Sequence, residues 1–432
     1  MAKQNREAFF AKLQSNSIVI LPGNKLQYRS CDVEYRFRQN SNFYYLTSFD
    51  EPNAVAVFIK SNSKDHGVQF ILFSQELNAE KEVWSGSVIG QHGAVELYGA
   101  DLAYPVEQID NFLPELLINK DILYYPMFQN IELENNLYKW RSLSQKIAKT
   151  KSSNFFPQVS QDVAIILHEL RVIKSPLELE KIRYVTQISA KAHEHIMKYV
   201  ANNMAHNKDL TERNIQAEFY NYCLKHGCQD MAYSPIVASG ANACILHYVK
   251  NSAVIKNHDL LLIDAGAEYD YYAADVTRTF PVNGKFSSKQ KEIYQLVLCA
   301  QKQAINKIKP GLLWSELQQT IIYTLVQGLI ELKFLSGNID ELISTQAYKK
   351  FYMHGSGHFL GMDVHDPSSY KINDHIRALL PGMVLTVEPG IYWKDIGVRI
   401  EDDILVTQDG HEILTKNAIK DIDDIEHLMK NK

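Results

Sequence analysis

The sequence has little of what membrane proteins, nucleic-acid-binding proteins and disulfide-rich secreted proteins need. None of its apolar runs is long enough to span a bilayer, and its first residues lack the continuous apolar stretch of a signal peptide. A formal net charge of −5 provides no basic field for nucleic acid. The five cysteines are odd in number and never spaced as C-x-x-C, so we expect reduced thiols. These absences predict a cytoplasmic globular protein.

With 432 residues the chain can form two domains with full cores, and one boundary signal is clear. In KSPLELEKIR, Ser175 can cap a helix that begins at Pro176, and Glu178 lies three positions after the cap, where it completes a capping box. We therefore predict one domain over residues 1–172 and a second over residues 173–432.

The two predicted domains differ in how strands and helices alternate. The first mixes strand-like runs with helical stretches, which predicts an α/β domain. In the second, strands cluster at 233–282 and 381–407 and are separated by helical patterns. This order predicts an α+β domain in which one curved antiparallel sheet is backed by helices.

Four carboxylates lie in apolar strand-like runs of the second domain, and their spacing pairs them across two hairpins. Opposed residues of an antiparallel hairpin have position numbers with a constant sum. The predicted pairs are Asp264 with Asp275, around a turn at 269–270 with the sum 539, and Glu388 with Glu401, around a turn at 394–395 with the sum 789. A bulge at Pro389–Gly390 would break the second pairing.

Like charges directly opposite each other destabilise a sheet, so these semi-buried pairs indicate a bound cation. Four carboxylates balance two divalent ions, and paired metals are a known means of activating a water molecule. Ligation that is rich in oxygen suits Mn(II), with Zn(II), Co(II) and Fe(II) as alternatives.

An imidazole ligand is available from FYMHGSGHFLGMDVHDP, which contains His354, His358 and His365. The residues alone leave open which histidine binds metal and which polarise a carbonyl or stabilise an oxyanion. Gly355 and Gly357 disfavour a helix there and allow close backbone approach.

Two more residues lie near the carboxylate runs. His247 ends an apolar run just before the first hairpin, which is a weak signal by itself. Arg399 lies two residues before Glu401 and therefore on the same strand face, where it can hold Glu401 or meet a substrate carboxylate or carbonyl. Asp402 points to the opposite face and Asp403 has no matching partner, so neither is a candidate.

Four motifs resemble those of the pita-bread metallopeptidases of peptidase clan M24: DAGAEYDYYAADVTRTF, HGSGHFLGMDVHD, TVEPGIY and GVRIEDD. The resemblance covers nearly the whole chain. Within the clan, RQNSNFYYLTSFDEPNAVAVFIKS at 38–61 and the closing IEHLM resemble the Xaa-Pro aminopeptidases more than the prolidases or the methionine aminopeptidases. The resemblance implies a creatinase-like amino-terminal domain, a pita-bread catalytic domain and a dinuclear centre, usually of manganese.

The same resemblance implies roles for individual residues. Asp264 would bind one metal, Asp275 and Glu401 would bridge both, and His358 and Glu388 would complete the other. The remaining assignments are substrate and transition-state binding for His247, His354 and His365, substrate contact and proton movement for Arg399 and Tyr392, and a contribution to a neighbouring subunit's site for Trp84. In one departure, Asn42 stands where the bacterial pattern RQNSDF has an aspartate, which removes the carboxylate of a proton shuttle at that position.

The sequence therefore predicts an aminopeptidase that releases the first residue of peptides with proline second, through a hydroxide that bridges two metals. Glu388 would handle the proton of the attacking water and His365 would stabilise the oxyanion. The expected partners are such peptides and further copies of the chain, in a dimer or tetramer. The alternatives are a prolidase, which takes only X-Pro dipeptides, and a non-hydrolytic binding protein of the same fold. The full set of five ligands disfavours the latter, and also a creatinase-like hydrolase without metal.

Overall fold

The computed structural model describes residues 1–62, 67–150, 155–206 and 209–430, which form two compact units, Met1–Leu170 and Arg171–Lys432. The strands of the first unit are β1 (Ser17–Pro22), β2 (Tyr28–Ser30), β3 (Val33–Glu34), β4 (Val55–Lys60), β5 (Val68–Ser74), β6 (Leu102–Pro105), β7 (Ile122–Tyr125) and β8 (Val159–Asp162). Its helices are α1 (Ala2–Lys12), α2 (Ser41–Thr47), α3 (Ala79–Ser85), α4 (Gly90–Glu96), α5 (Ile109–Leu116), α6 (Ile131–Thr150) and α7 (Ala164–Val172), the last of which ends in the second unit.

The first unit is organised around a six-stranded mixed sheet with the order β6-β5-β4-β1-β7-β8. β1 pairs antiparallel with β4 and parallel with β7. The sequence of β1, SIVILP, is apolar without alternation because nearly all of its residues are buried, as in strands covered on both faces. This sheet and its helices confirm the predicted α/β class.

Within its described residues, the second unit contains six further α-helices and thirteen strands. The helices are α8 (Pro176–Ala205), α9 (Glu212–Lys225), α10 (Ser288–Lys307), α11 (Trp314–Glu331), α12 (Ile339–Ser344) and α13 (Ile422–Lys430). The strands are β9 (Asp230–Met231), β10 (Ile236–Ser239), β11 (Leu260–Asp264), β12 (Ala267–Tyr269), β13 (Tyr272–Ala273), β14 (Thr277–Pro281), β15 (Lys371–Ile372), β16 (His375–Ile376), β17 (Val384–Val387), β18 (Gly390–Trp393), β19 (Ile396–Arg399), β20 (Asp402–Val406) and β21 (His411–Ile413).

Helix α8 begins where the sequence predicts. The Ser175 side chain accepts a hydrogen bond from the Glu178 amide, and the Glu178 carboxylate accepts one from the Ser175 amide at 2.8 Å, with Pro176 as the first helical residue. This capping box satisfies amide groups that the first turn of a helix leaves without partners. The predicted start of the second domain's first helix is therefore confirmed.

The strands of the second unit form short antiparallel sheets in two blocks. The first block contains the orders β10-β11-β14 and β13-β12-β9, and the second contains β17-β20-β21 and β18-β19. The amide of Glu401 donates to the Thr277 carbonyl at 3.1 Å and thereby joins the blocks. Apolar side chains of the helices and of both blocks share one core, as expected for the predicted α+β arrangement.

The second carboxylate hairpin has the predicted register. Val387 pairs with Asp402 in β17 and β20, and Gly390 pairs with Arg399 in β18 and β19. Both pairs add to 789, so no bulge shifts the register between them. The prediction that Glu388 lies opposite Glu401 is confirmed.

The predicted register of the first hairpin is wrong by two positions. Its tight turn is Asp270–Tyr271, one position later than predicted, and both residues have positive φ, 46° and 69°. Two-residue hairpin turns of this hand need φ > 0 at both positions. Asp264 consequently pairs with Thr277, and the sum is 541. Because the shift is even, Asp275 keeps its side of the hairpin and becomes a diagonal neighbour of Asp264.

The structure also bears on the predictions made from composition. Within the described ranges, no helix combines the length and the apolar character needed to cross a membrane. All five cysteines are free, as predicted. Burial raises the pKa of the Cys223 thiol, and it raises the pKa of Cys228 to about 11. These two cysteines are therefore core thiols.

Candidate metal centre

A cavity of about 430 Å³ opens in the second unit, lined by residues of both strand blocks. All five predicted metal ligands and four of the other candidate residues line it: Asp264, Asp275, His358, Glu388, Glu401, His247, His354, His365 and Arg399. Tyr392 is buried beside it, with its hydroxyl against His354 and Arg399. The structure thus brings these ten residues to one place, whereas Trp84 lies exposed in α3 of the first unit.

Asp275, His358 and Glu401 form the tightest group in this cavity. Each offers one ligand atom, and these atoms all lie within 4.8 Å of one another. Nε2 of His358 is 3.3 Å from an Asp275 oxygen and 3.8 Å from a Glu388 oxygen. Two carboxylates and one imidazole nitrogen therefore lie close enough together to hold a divalent cation, and the Glu388 carboxylate lies beside the imidazole.

Tyr233 connects Asp264 to this group, and the sequence reasoning missed it. Its hydroxyl lies 2.6 Å from Asp264 Oδ1 and 2.5 Å from Asp275 Oδ1. One hydroxyl has one proton to donate, so the two carboxylates share a single donor. Tyr233 lies about thirty residues before Asp264 and carries no motif, so no local pattern could have identified it.

The orientation of His358 is that of a metal ligand. Its Nδ1–H donates to the Phe359 carbonyl at 3.0 Å, which leaves the Nε2 lone pair directed at the carboxylates. Metal-binding histidines usually donate their second ring nitrogen in this way. His358 is held against β17, because its amide donates to Thr386 Oγ1 and its carbonyl accepts from the Thr386 amide.

The pKa values of the cluster show how poorly its own charges are compensated. Burial, with the charges of Asp275 and Glu388, raises the pKa of Glu401 well above its ordinary range. Burial raises the pKa of Glu388 to about 7 despite the opposing charge of His358. Burial also raises the pKa of Asp264, and Arg399 only partly counteracts it.

His358 is positively charged when it is protonated, and the neighbouring carboxylates shift its pKa. Burial disfavours its cationic form, but the hydrogen bond and charge of Asp275 and the charge of Glu388 raise its pKa to about 9. A divalent cation would replace that proton and neutralise the carboxylates. The residues therefore fit a bound metal centre.

Arg399, Tyr392 and His354 form a hydrogen-bonded row along one wall. Arg399 Nη1 donates to the Tyr392 hydroxyl at 3.1 Å, and that hydroxyl donates to His354 Nε2 at 2.8 Å. His354 Nδ1 donates to the Gly355 carbonyl, so its Nε2 is free to accept. Burial, with the charge of Arg399, lowers the pKa of His354 to about 4 and keeps the ring neutral.

Arg399 also reaches the carboxylates. Its Nη2 donates to Asp264 Oδ2 at 2.6 Å, and its Nε donates to Thr277 Oγ1 at 3.2 Å. The Thr277 hydroxyl donates to Glu401 at 2.6 Å. Arg399 thus holds Asp264 directly and Glu401 only through Thr277. Strand alternation from Asp275 would have placed Thr277 on this face.

His365 and His247 lie at more exposed positions of the cavity wall. The His365 ring meets the His358 ring edge to face, with centroids 4.3 Å apart. Burial, with the charge of His358, lowers the pKa of His365. Gly357 confirms the predicted close approach, since a Cβ there would lie 2.0 Å from the Thr386 carbonyl, whereas Gly355 has open space around it.

The residues on the back of the cluster include one that the sequence reasoning set aside. Asp403 accepts a hydrogen bond from the Asp275 amide at 3.1 Å and so contacts the backbone of a candidate ligand. Asp402 points away from the cavity, as predicted, and pairs with the buried Arg278 at 2.6 Å. Arg278 also donates to the Glu401 carbonyl at 2.6 Å, which fixes that strand from behind.

Two family models match the chain. The model described as metallopeptidase family M24 matches residues 180–408, and the aminopeptidase P N-terminal domain matches residues 2–124. The Xaa-Pro aminopeptidase of Escherichia coli (strain K12) is 38% identical over 439 residues, which cover 99% of this chain and 97% of the relative. One Xaa-Pro aminopeptidase therefore matches this chain over nearly its full length, as the resemblance implied.

Solved structures agree over the same length. Pseudomonas aeruginosa aminopeptidase PepP has a TM-score of 0.94 and 42% identity, covering 99% of this chain and 97% of that one. Zn-substituted E. coli aminopeptidase P in complex with product has a TM-score of 0.93 and 37% identity, with the same coverages. The fold is accordingly an α/β amino-terminal domain with a pita-bread catalytic domain. This chain belongs to metallopeptidase family M24 and carries the aminopeptidase P amino-terminal domain.

Proposed function

We propose that the protein is an Xaa-Pro aminopeptidase, which hydrolyses the bond between the first residue of a peptide and a proline in second position. The observation that carries this proposal is the convergence of five potential metal ligands and three further histidines on one cavity of the second unit. The full-length similarity to Xaa-Pro aminopeptidases supports the substrate class.

The residues that would hold a dinuclear centre are Asp264, Asp275, His358, Glu388 and Glu401. Divalent cations bound there would polarise the scissile carbonyl and lower the pKa of a water molecule. We infer that the native ion is Mn(II), because four carboxylates and one imidazole form a hard, oxygen-rich donor set. The Zn-substituted relative supports a divalent ion of some kind.

Each cavity residue has a task that its surroundings suit. Glu388, whose carboxylate lies 3.8 Å from His358 and 3.8 Å from His354, is placed to accept and return the proton of the attacking water. His365, exposed and next to His358, is placed to donate to an oxyanion on the scissile carbonyl. Arg399 holds Asp264, and its hydrogen bond to the Tyr392 hydroxyl fixes the row that ends at His354.

Proline in second position imposes a requirement that this cavity meets. The imide nitrogen has no N–H, and the ring fixes φ near −65°, so backbone hydrogen bonding by the enzyme cannot recognise that residue. His247 and its apolar neighbours Leu246 and Val249 line the wall and can pack against the proline ring. The free amino group of the substrate would bind beside the acidic ligands.

The test is an assay of the Mn(II)-loaded protein on three peptides: X-Pro-Y, X-Ala-Y and X-Pro. We expect release of the first residue from X-Pro-Y, at a rate that falls sharply when alanine replaces proline. Cleavage confined to X-Pro would favour a prolidase, and tight peptide binding without hydrolysis would favour a binding protein of the same fold. Reloading with Zn(II), Co(II) or Fe(II) compares the alternative ions.

Three further statements belong to this proposal. The domains extend over 1–172 and 173–432, since α7 ends at Val172 and the capping box of α8 follows at Ser175. The protein is cytoplasmic, in keeping with its five free cysteines. It forms a dimer or tetramer, for which the 91% exposed Trp84 is an available contact residue.

A further inference from the structure

Glu212 is a heavily hydrogen-bonded carboxylate that lies outside the cavity. It is fully buried at the first residue of α9, and its carboxylate accepts five hydrogen bonds. The donors to Oε1 are the amide and hydroxyl of Ser239 and the side-chain amide of Asn242, and the donors to Oε2 are the Tyr248 hydroxyl and the Ala253 amide, all at 2.9–3.0 Å.

All five donors belong to one segment, residues 239–253. In addition, the Glu212 amide donates to the Ala253 carbonyl at 3.0 Å, so both ends of the segment are tied to the same residue. Burial opposes the charge of Glu212, but the hydrogen bonds from the segment lower its pKa below its ordinary value. The carboxylate is therefore an anionic acceptor around which this irregular segment is folded.

The same segment supplies one wall of the cavity. Leu246, His247 and Val249 line it, and all three lie between the anchored residues Asn242 and Ala253. The ring of His247 makes no hydrogen bond to any residue in the described ranges, and the side chain is exposed. Its position consequently follows from the backbone that Glu212 holds, and Tyr248 is the anchored residue next to it.

We propose that Glu212 is a positioning residue for peptide recognition: it holds the segment 239–253 so that His247, Leu246 and Val249 form a substrate-binding wall. This inference rests on the proposed function, in which that wall packs against proline. Glu212 does not touch the reacting atoms, and it does not contact any of the five candidate metal ligands. Its loss should therefore weaken binding and leave the chemical step intact.

The test is the variant Glu212→Gln, which keeps the shape of the side chain but replaces one acceptor oxygen with an amide group. At least two donors of the segment then face an NH₂ group. We expect the KM for X-Pro-Y to rise about tenfold, with kcat changed by less than about twofold, because misplaced binding groups weaken positioning. The bound metal and the pH profile of kcat should be unchanged.

Thr211→Ala is the matched control, because Thr211 caps the same helix by accepting from the Asn214 amide and is not a donor to Glu212. It weakens the start of α9 and should leave KM unchanged. If Thr211→Ala raises KM as much as Glu212→Gln does, or if kcat falls together with bound metal, the role of Glu212 is purely structural and the proposal is wrong.

Two further measurements keep the test decisive. Tyr248→Phe removes one donor without burying a new polar group, and we expect about a threefold rise in KM even if Glu212→Gln does not fold. In a His247→Ala background, Glu212→Gln should add little, whereas full additivity would contradict action through His247.

Binding of an X-Pro-Y analogue with a reduced scissile bond, measured by calorimetry, separates this inference from the proposed function. If the wild type does not cleave peptides, the proposed function fails. The analogue must still bind about tenfold more weakly to Glu212→Gln for the positioning role to stand.

Discussion

The cavity side and the back of the second carboxylate hairpin hold buried acids in opposite electrostatic surroundings. Glu401 and Asp402 are adjacent in sequence, and both are almost fully buried. Burial and neighbouring carboxylates raise the pKa of Glu401 well above its ordinary range. Arg278 and Lys420 overcome the effect of burial at Asp402 and hold its pKa below the ordinary value.

The difference shows which charges the protein compensates by itself. At the back, Asp402 accepts from Arg278, Lys420, Thr415 and Gln301, so its charge is fully paired. In the cavity, four carboxylates share Arg399 and His358 as their nearby cations. Burying like charges this close is unfavourable unless another cation joins them. The back of the hairpin is built for stability, and the cavity is built for a ligand.

The largest expected effect comes from removing one of the four carboxylates that line the cavity. Asp275→Asn should lose bound metal and lower kcat/KM by more than about 100-fold, the upper end of what loss of an outer-shell partner costs. The metal-free variant should melt no lower than metal-free wild type, because one repulsive charge is gone. Metal analysis, peptide assays and thermal melts check this.

Asp270→Asn, in the half-buried turn of the first hairpin, which also contains Asp275, serves as the control and should keep both metal and activity. An Asp275→Asn protein that retained stoichiometric metal and activity would contradict the assignment of Asp275 as a metal ligand.

A smaller effect, on stability instead of activity, is expected at the back. Asp402→Asn leaves Arg278 buried without its full partner and should lower the free energy of unfolding by about 3–5 kcal/mol. Asp421→Asn, which removes a half-exposed partner of Lys302, should cost at most about 1 kcal/mol. Denaturant unfolding measures both. Equal losses in the two variants would mean that burial does not distinguish these pairs.

The smallest effect is the pH dependence of the metal-free protein. The pKa of Glu388 is about 7 in the fold against an ordinary 4.5, so its stabilising contribution is full below pH 4.5 and is lost as pH rises through 7. Asp402 acts in the opposite sense: its contribution is present above its ordinary pKa of 3.8 and is lost as pH falls further.

We therefore expect the melting temperature in chelator to fall between about pH 5 and pH 8, and added Mn(II) to reverse the trend, because metal binds deprotonated ligands. Calorimetry at several pH values checks this, and Glu388→Gln should flatten the chelator curve. A metal-free melting temperature that rises across this range would contradict the raised pKa values.

Much of the fold could be predicted because its signals are local. The capping box at Ser175 and the register of the hairpin around 394–395 depend on residues only a few positions apart. The first hairpin was misjudged because its turn places Tyr271 at positive φ, which favours Asn, Asp or Gly. The even shift nevertheless preserved the side of both carboxylates, so the prediction that Asp264 and Asp275 converge held.

By itself, the sequence determined the residue types of the site: four carboxylates and a histidine-rich loop, spaced so that one face of two hairpins carries the charge. Only the tertiary structure decided how each charge is compensated. His358 is directed into the cluster by the Phe359 carbonyl and by Thr386 of β17. Arg278 neutralises Asp402 from β14, a strand that is far from Asp402 in sequence. Local spacing fixes which side of a strand a residue faces, but the partner on that side comes from elsewhere in the chain.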